Sequence, residues 1–178
     1  ALVIGGGIAG MTSALGLADQ GFAVHLVEKE DQLGGNALTL LSTWKGDSIP
    51  EKLAEMTKRV TTHPRIDVYS GATVKASSGF IGNFETTVAV KGDTRLLKHG
   101  AVIVATGAEE HVPQEYLYGK SDRVLTHLEL DRAISGNDPR LAAANAVAFI
   151  QCVGSREPDR PYCSKVCCMI ATKQTIIA

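Results

Sequence analysis

The stretch Ala1-Leu2-Val3-Ile4-Gly5-Gly6-Gly7-Ile8-Ala9-Gly10 decides the fold. Ala1 to Ile4 is a short apolar run suited to a buried strand. From Ile8 to Gln20 the chain favours helix, up to Gly21 as a natural stop. Gly5, Gly7 and Gly10 fall between these elements at the spacing Gly-x-Gly-x-x-Gly, which by itself arises often by chance in a chain with 18 glycines. The strand before and the helix after give the spacing its meaning. Gly5 permits a tight turn, Gly7 lets backbone N–H groups approach a pyrophosphate, and Gly10 allows close packing of helix on strand. Ile8 and Ala9 add first-turn N–H groups, where the helix dipole favours an anion.

Residues 22–28 read as a second strand, so the chain opens as a β-α-β unit and predicts a parallel sheet. Glu28 ends that strand about 20 residues beyond the glycines, where a carboxylate accepts hydrogen bonds from ribose hydroxyls and repels a 2′-phosphate. Lys29 follows it and is carried as a candidate contact, a solvated lysine being its ordinary reading.

Further along, Ser48-Ile49-Pro50-Glu51 has the form of a capping box, and Ile49, Leu53, Met56 and Val60 recur at helical spacing to about Thr62. Residues 65–70, 72–76, 84–91 and 101–105 read as strands separated by glycine turns, the middle two forming a small antiparallel ribbon. Thr126 is placed to cap a helix over His127–Ser135, stopped by Gly136, and Asn137-Asp138-Pro139 marks a loop before an apolar strand at 146–150. The expected organisation is α/β: a Rossmann-like first domain at 1–113, a connecting segment at 114–145, and the start of a second dinucleotide-binding-like domain at 146–178.

With 18 Lys+Arg against 19 Asp+Glu and a formal charge of -1, the 178-residue chain has no basic excess for nucleic acid or an anionic membrane. No apolar run approaches the roughly 20 residues of a membrane span, and no secretory leader opens the chain, so it reads as a cytoplasmic protein. It starts on an apolar run without Met and closes on Thr175-Ile176-Ile177-Ala178, as expected of a piece cut at both ends.

All four cysteines, Cys152, Cys163, Cys167 and Cys168, crowd into the last part of the chain. A secreted disulfide scaffold would spread them. Cys163 onward reads as a helix with Ser164 as its cap. Thiolates at a helix N-terminus suit a polynuclear iron-sulfur cluster, because soft sulfur matches iron and the dipole offsets the cluster's negative charge. Zinc is the competing metal, though its short Cys-x2-4-Cys knuckles are absent, and inert or disulfide-bonded cysteines stay open. Gln151-Cys152-Val153-Gly154-Ser155-Arg156 stands where a second glycine fingerprint would be and keeps one glycine, so it does not support NAD(P)H binding.

Gly34-Gly35, and Val102-Ile103-Val104 running into Ala105-Thr106-Gly107, join the opening in a pattern that resembles the FAD-binding domain of the two-dinucleotide-domain flavoproteins. The resemblance implies FAD, with Gly34 and Gly35 beside the pyrophosphate, Ala105, Thr106 and Gly107 under the cofactor, and Val74 touching adenine through its backbone. Asn36-Ala37-Leu38 supplies none of the redox cysteines that some relatives place there. Gly79-Phe80-Ile81-Gly82-Asn83-Phe84, Glu115-Tyr116-Leu117-Tyr118-Gly119, Val124-Leu125-Thr126, the 151–156 stretch and Tyr162-Cys163-Ser164-Lys165-Val166-Cys167-Cys168 resemble, more narrowly, the family of the flavin-carrying, iron-sulfur subunit of heterodisulfide reductase and its bacterial homologues.

That resemblance implies an FAD- and [4Fe-4S]-dependent electron-transfer oxidoreductase of anaerobic metabolism, with Cys152, Cys163, Cys167 and Cys168 as cluster ligands and Lys173 near the flavin. It implies as partners the other electron-transfer subunits of a heterodisulfide reductase-like or quinone-linked complex. The region between Gly35 and Arg65 departs from some archaeal members in having no Cys-x2-Cys-x2-Cys run. Two rival readings are an ordinary FAD-dependent NAD(P)H oxidoreductase with incidental cysteines and a nonenzymatic scaffold stapled by its cluster.

Overall fold

A computed structural model describes residues 1–177. They form two compact units: Ala1–Leu38 with Pro50–Ala108, and Thr39–Ile49 with the residues from Glu109 onward.

The first unit is built on β1 (Leu2–Ile4), α1 (Ile8–Asp19), β2 (Val24–Val27), α2 (Ile49–Thr62, entering from the second unit's Ile49) and β3 (Ile66–Tyr69). With β7 (Val102–Val104) the strands make a parallel sheet in the order β3-β2-β1-β7. Its register pairs Val3 with Leu26 on one side and with Ile103 on the other. Leu2, Val3, Val24 and Leu26 are buried to within 1%, Val3, Val24 and Leu26 on one face of the sheet and Leu2 on the opposite face, toward Ala72, Val88 and Leu97. Met11, Ala14, Leu15 and Ala18 recur at helical spacing and give α1 its buried stripe. α1 ends at Gly21, whose φ of 95° lets its N–H reach Ala18 O and the N–H of Phe22 reach Leu17 O. On α2 the apolar stripe buries Leu53 and Val60.

β4 (Ala72–Phe80), β5 (Asn83–Val90) and β6 (Asp93–His99) form an antiparallel sheet. The sequence predicts two of these strands; the third, β6, turns only Leu97 and His99 inward and lacks the alternation that announces a strand. Leu2, Val27, Ala72, Val88 and Leu97 form one apolar cluster that joins the two sheets. Beside it His99 is buried. Its Nε2 lies 2.8 Å from Thr86 Oγ1, which is 2.9 Å from Ser77 Oγ, and its Nδ1 is 3.2 Å from Ala101 O. The carbonyl needs a donor, so Nδ1 carries the hydrogen and Nε2 accepts from Thr86. Burial holds the His99 pKa below its ordinary value.

The second unit carries α3 (His127–Ser135), α4 (Pro139–Ala142) and α5 (Val166–Ile177). Thr126 caps α3 as expected and does so in a full capping box with Glu129. The strand expected at 146–150 is not formed. A parallel strand needs a neighbour for its N–H and C=O groups, and the named strands all belong to the first unit. The helix expected from Cys163 begins three residues later, at Val166, with Ser164 Oγ 3.4 Å from the Val166 N–H. No helix of the described residues is long and apolar enough to cross a membrane.

Candidate functional site

The first unit places the sequence-predicted nucleotide residues around the C-terminal end of its parallel sheet. Gly5 donates its N–H to Val27 O at 2.8 Å, and its φ of 108° belongs to glycine. A Cβ there would collide with the Ala105 carbonyl, and one on Gly10 would collide with the Gly5 carbonyl. These two glycines let β1, β7 and α1 meet backbone to backbone. Gly7 differs. It is the N-cap of α1, it has no capping side chain, and a Cβ on it would meet nothing within 4 Å. The first turn beyond it, beginning Ile8-Ala9, carries no acidic residue, and both side chains are exposed. Open space, N–H groups and an uncompensated helix dipole fit a phosphate-bearing ligand.

The segment carrying Gly34 and Gly35 lies against this turn. Gly34 N–H donates to Gly6 O at 2.9 Å, and a Cβ on Gly35 would stand 3.3 Å from Gly7 Cα. Asn36 Nδ2 donates to Ala108 O at 2.9 Å, which ties that segment to the chain leaving Ala105, Thr106 and Gly107. Glu28 is buried just beyond β2, with Oε2 accepting from Gly6 N–H at 2.6 Å and Oε1 from Glu30 N–H at 2.8 Å. Each oxygen keeps further lone-pair capacity for hydroxyl donors. Ala72 N–H binds Glu28 O at 2.8 Å, so β4 starts beside Glu28 and carries Val74 two residues on, ahead of a register irregularity between Val74 and Ala76. Lys29 is exposed and pairs with Glu30 at 3.7 Å.

The cysteines lie in the second unit. A turn closes from Ser155 N–H to Cys152 O at 3.1 Å, and Arg156 N–H and Ser155 Oγ both donate to Tyr162 O, at 3.2 and 3.1 Å. The 156–162 loop therefore folds back and returns the chain at Tyr162-Cys163 to the turn that holds Cys152. Cys152, Arg156 and Lys165 have φ of 64°, 61° and 60°, an uncommon region for such residues. All four cysteines are free. The Cys168 thiol is pushed above its ordinary value, first by local desolvation and then by Cys167, Cys152 and Cys163. Among the described residues no three His, Cys, Asp or Glu side chains stand in a ready metal-binding arrangement. By chemistry the donor set suits a thiophilic metal, because four free cysteines offer soft sulfur ligands once deprotonated. Lys173, expected near a flavin, donates to Asp131 Oδ2 at 2.8 Å within the second unit.

Residues 1–143 match the pyridine nucleotide-disulphide oxidoreductase family. The chain belongs to that family. A curated relative, a CoB–CoM heterodisulfide reductase iron-sulfur subunit of Methanopyrus kandleri, is 32% identical over 268 residues, covering 97% of this chain and 40% of the relative. The corresponding iron-sulfur subunit of Methanocaldococcus jannaschii is 31% identical over 263 residues with the same shares. The chain thus spans about 40% of the length of these relatives, and alignments longer than its own 178 residues mean that they carry segments it lacks. The crystal structure of L-proline dehydrogenase from P. horikoshii shares the fold, with a TM-score of 0.54 at 22% identity over 60% of this chain and 22% of that one.

In this pyridine nucleotide-disulphide oxidoreductase chain, the glycine fingerprint passes over Gly6, which supplies the N–H that Glu28 accepts. A Cβ on Gly6 would stand 2.5 Å from Leu33 Cδ2 and 3.0 Å from Glu28 Oε2. Three consecutive glycines where the fingerprint needs two were the available signal. Asn36, read only as the absence of a cysteine, is a structural tie.

Proposed function

We propose that this chain is the FAD-holding and cysteine-bearing part of an electron-transfer oxidoreductase resembling the iron-sulfur flavoprotein of heterodisulfide reductase. The observation that carries the reading is the pairing, in one chain, of the open Gly7 cradle with four free cysteines, the Cys163 end of whose loop returns to the turn that holds Cys152. A flavin exchanges electrons in pairs or singly and a [4Fe-4S] centre takes one at a time, so the two groups connect two-electron to one-electron partners.

The N–H groups of the first turn of α1 would hold the pyrophosphate, Glu28 the ribose and the Val74 backbone the adenine. Gly34, Gly35 and residues 105–107 would keep the backbone low enough for the cofactor to pass. Cys152, Cys163, Cys167 and Cys168 would ligate the cluster. Partners would be the other subunits of such a complex, in keeping with relatives named as its iron-sulfur component, and the setting anaerobic cytoplasm.

Anaerobic purification of the longest native protein containing these residues tests the reading through its absorption spectrum, FAD content and acid-labile sulfide. Flavin with iron and sulfide in equal amounts is the expected result. Flavin alone would leave an ordinary FAD oxidoreductase, and zinc without sulfide would overturn the cluster.

A further inference from the structure

The contact of α3 with α5 is keyed by polar groups. Gln174 on α5 is fully buried, and its side-chain amide is used at both ends. Nε2 donates to His127 O at 2.6 Å and to Asp131 Oδ1 at 2.9 Å, while Oε1 lies 2.7 Å from His127 Nδ1. Because the two acceptors fix which end of the amide is nitrogen, Oε1 must accept, and His127 carries its hydrogen on Nδ1. Asp131 is 4% exposed, and its second oxygen is taken by Lys173 Nζ at 2.8 Å. A buried carboxylate is thereby neutralised and hydrogen-bonded on both oxygens.

Cys167, Ala171 and Gln174 are spaced four and seven residues apart, which places them on one face of α5. Ala171 and Gln174 are the buried residues of the helix, and Cys167 is less exposed than Cys168. Apolar packing alone tolerates a helix turning or sliding by a residue, since one aliphatic contact replaces another. The polar key does not, because any such shift leaves the buried Gln174 amide and the Asp131 carboxylate without the partners they now share.

We infer that Gln174 and Asp131, with Lys173 as counter-ion, are positioning residues for the cysteine site, setting the rotation of α5 on α3 and so the direction in which Cys167 and Cys168 present their sulfurs. Buried polar pairs are known to fix helix register in this way elsewhere. The inference rests on the cluster reading above, yet it concerns side chains that the reading does not use.

The test uses the full native protein purified without oxygen. Gln174→Leu keeps the volume and removes the key. Its expected result is at least a twofold loss of iron and sulfide at unchanged FAD per chain, with a shifted paramagnetic resonance spectrum for the cluster that remains. Gln174→Glu sets two carboxylates against each other and should lose cluster likewise. The pair Asp131→Asn with Gln174→Glu regains the hydrogen bond between positions 131 and 174 but sets a carboxylate oxygen against the His127 carbonyl, so it should recover part of the iron and sulfide lost in Gln174→Glu, which tests the inference even if Gln174→Leu does not fold. Full iron and sulfide with an unaltered spectrum in both single variants would overturn it. A wild type that holds no iron would overturn the cluster reading instead; positioning is then read from alkylation. Cys168 should react faster than Cys167 in the wild type, and that difference should shrink in Gln174→Leu. An unchanged ratio would overturn positioning by itself.

Discussion

Gly6 N–H and Glu28 Oε2 meet at 2.6 Å across 22 residues of sequence, so the acid proposed to hold the ribose also clamps the glycine turn to the end of β2. Glu28→Gln should therefore show two effects. The amide NH2 would face an N–H, from Gly6 or from Glu30, that now has an acceptor. This should lower stability by about 1–3 kcal/mol, read by chemical denaturation. Loss of the charge should weaken FAD by on the order of 1–3 kcal/mol, read by titrating apoprotein. A stability loss with unchanged affinity would leave Glu28 a clamp and nothing more.

Glycines of the same turn should separate into two classes. Gly5→Ala and Gly10→Ala each drive a methyl into a backbone carbonyl, and Gly5 adds a left-handed φ, so each should cost about 3 kcal/mol or more in a denaturant melt. Gly7→Ala has open space and an ordinary φ of -74°, and should stay within about 1 kcal/mol of wild type. Gly7→Val should keep the fold and lose the flavin; one FAD retained per chain would sink the cradle assignment.

His99 gives the fold an acid sensitivity whose sign follows from its lowered pKa. The folded protein binds the proton less readily than the unfolded chain does. The contribution of the neutral ring to stability is thus fully present above about 6.5 and is lost as pH falls below that value toward the folded pKa. Melting temperature should fall between neutral and mildly acidic pH, and the fall should be shallower in His99→Gln. His25, also lowered chiefly by burial, keeps part of the slope in that variant. A slope identical to wild type would show that burial of the His99 ring does not disfavour its protonated form.

Each Cys→Ala exchange at 152, 163, 167 or 168 should remove iron and sulfide together from the anaerobic protein, because one missing thiolate opens an iron to solvent. Flavin should persist, since its candidate residues belong to the first unit. If only three of the four exchanges lower the iron content, the unaffected cysteine is not a ligand. Elemental and sulfide analysis on the four variants decides this.

The sequence by itself determined the local devices. The glycine turn, the Gly21 stop, the Thr126 cap and the distance from Gly10 to Glu28 could be read because each is a steric or hydrogen-bonding choice settled within a few residues of chain. Tertiary structure decided whatever needed a distant partner. It added β6, whose inward residues are Leu97 and His99, and among the described residues it gave 146–150 no neighbouring strand to pair with. It also gave Glu28 a second task through Gly6, and it engaged Lys173 with Asp131, 42 residues away. A strand and a buried charge are both stable only with a partner, and pattern along the chain does not name a partner that arrives through space.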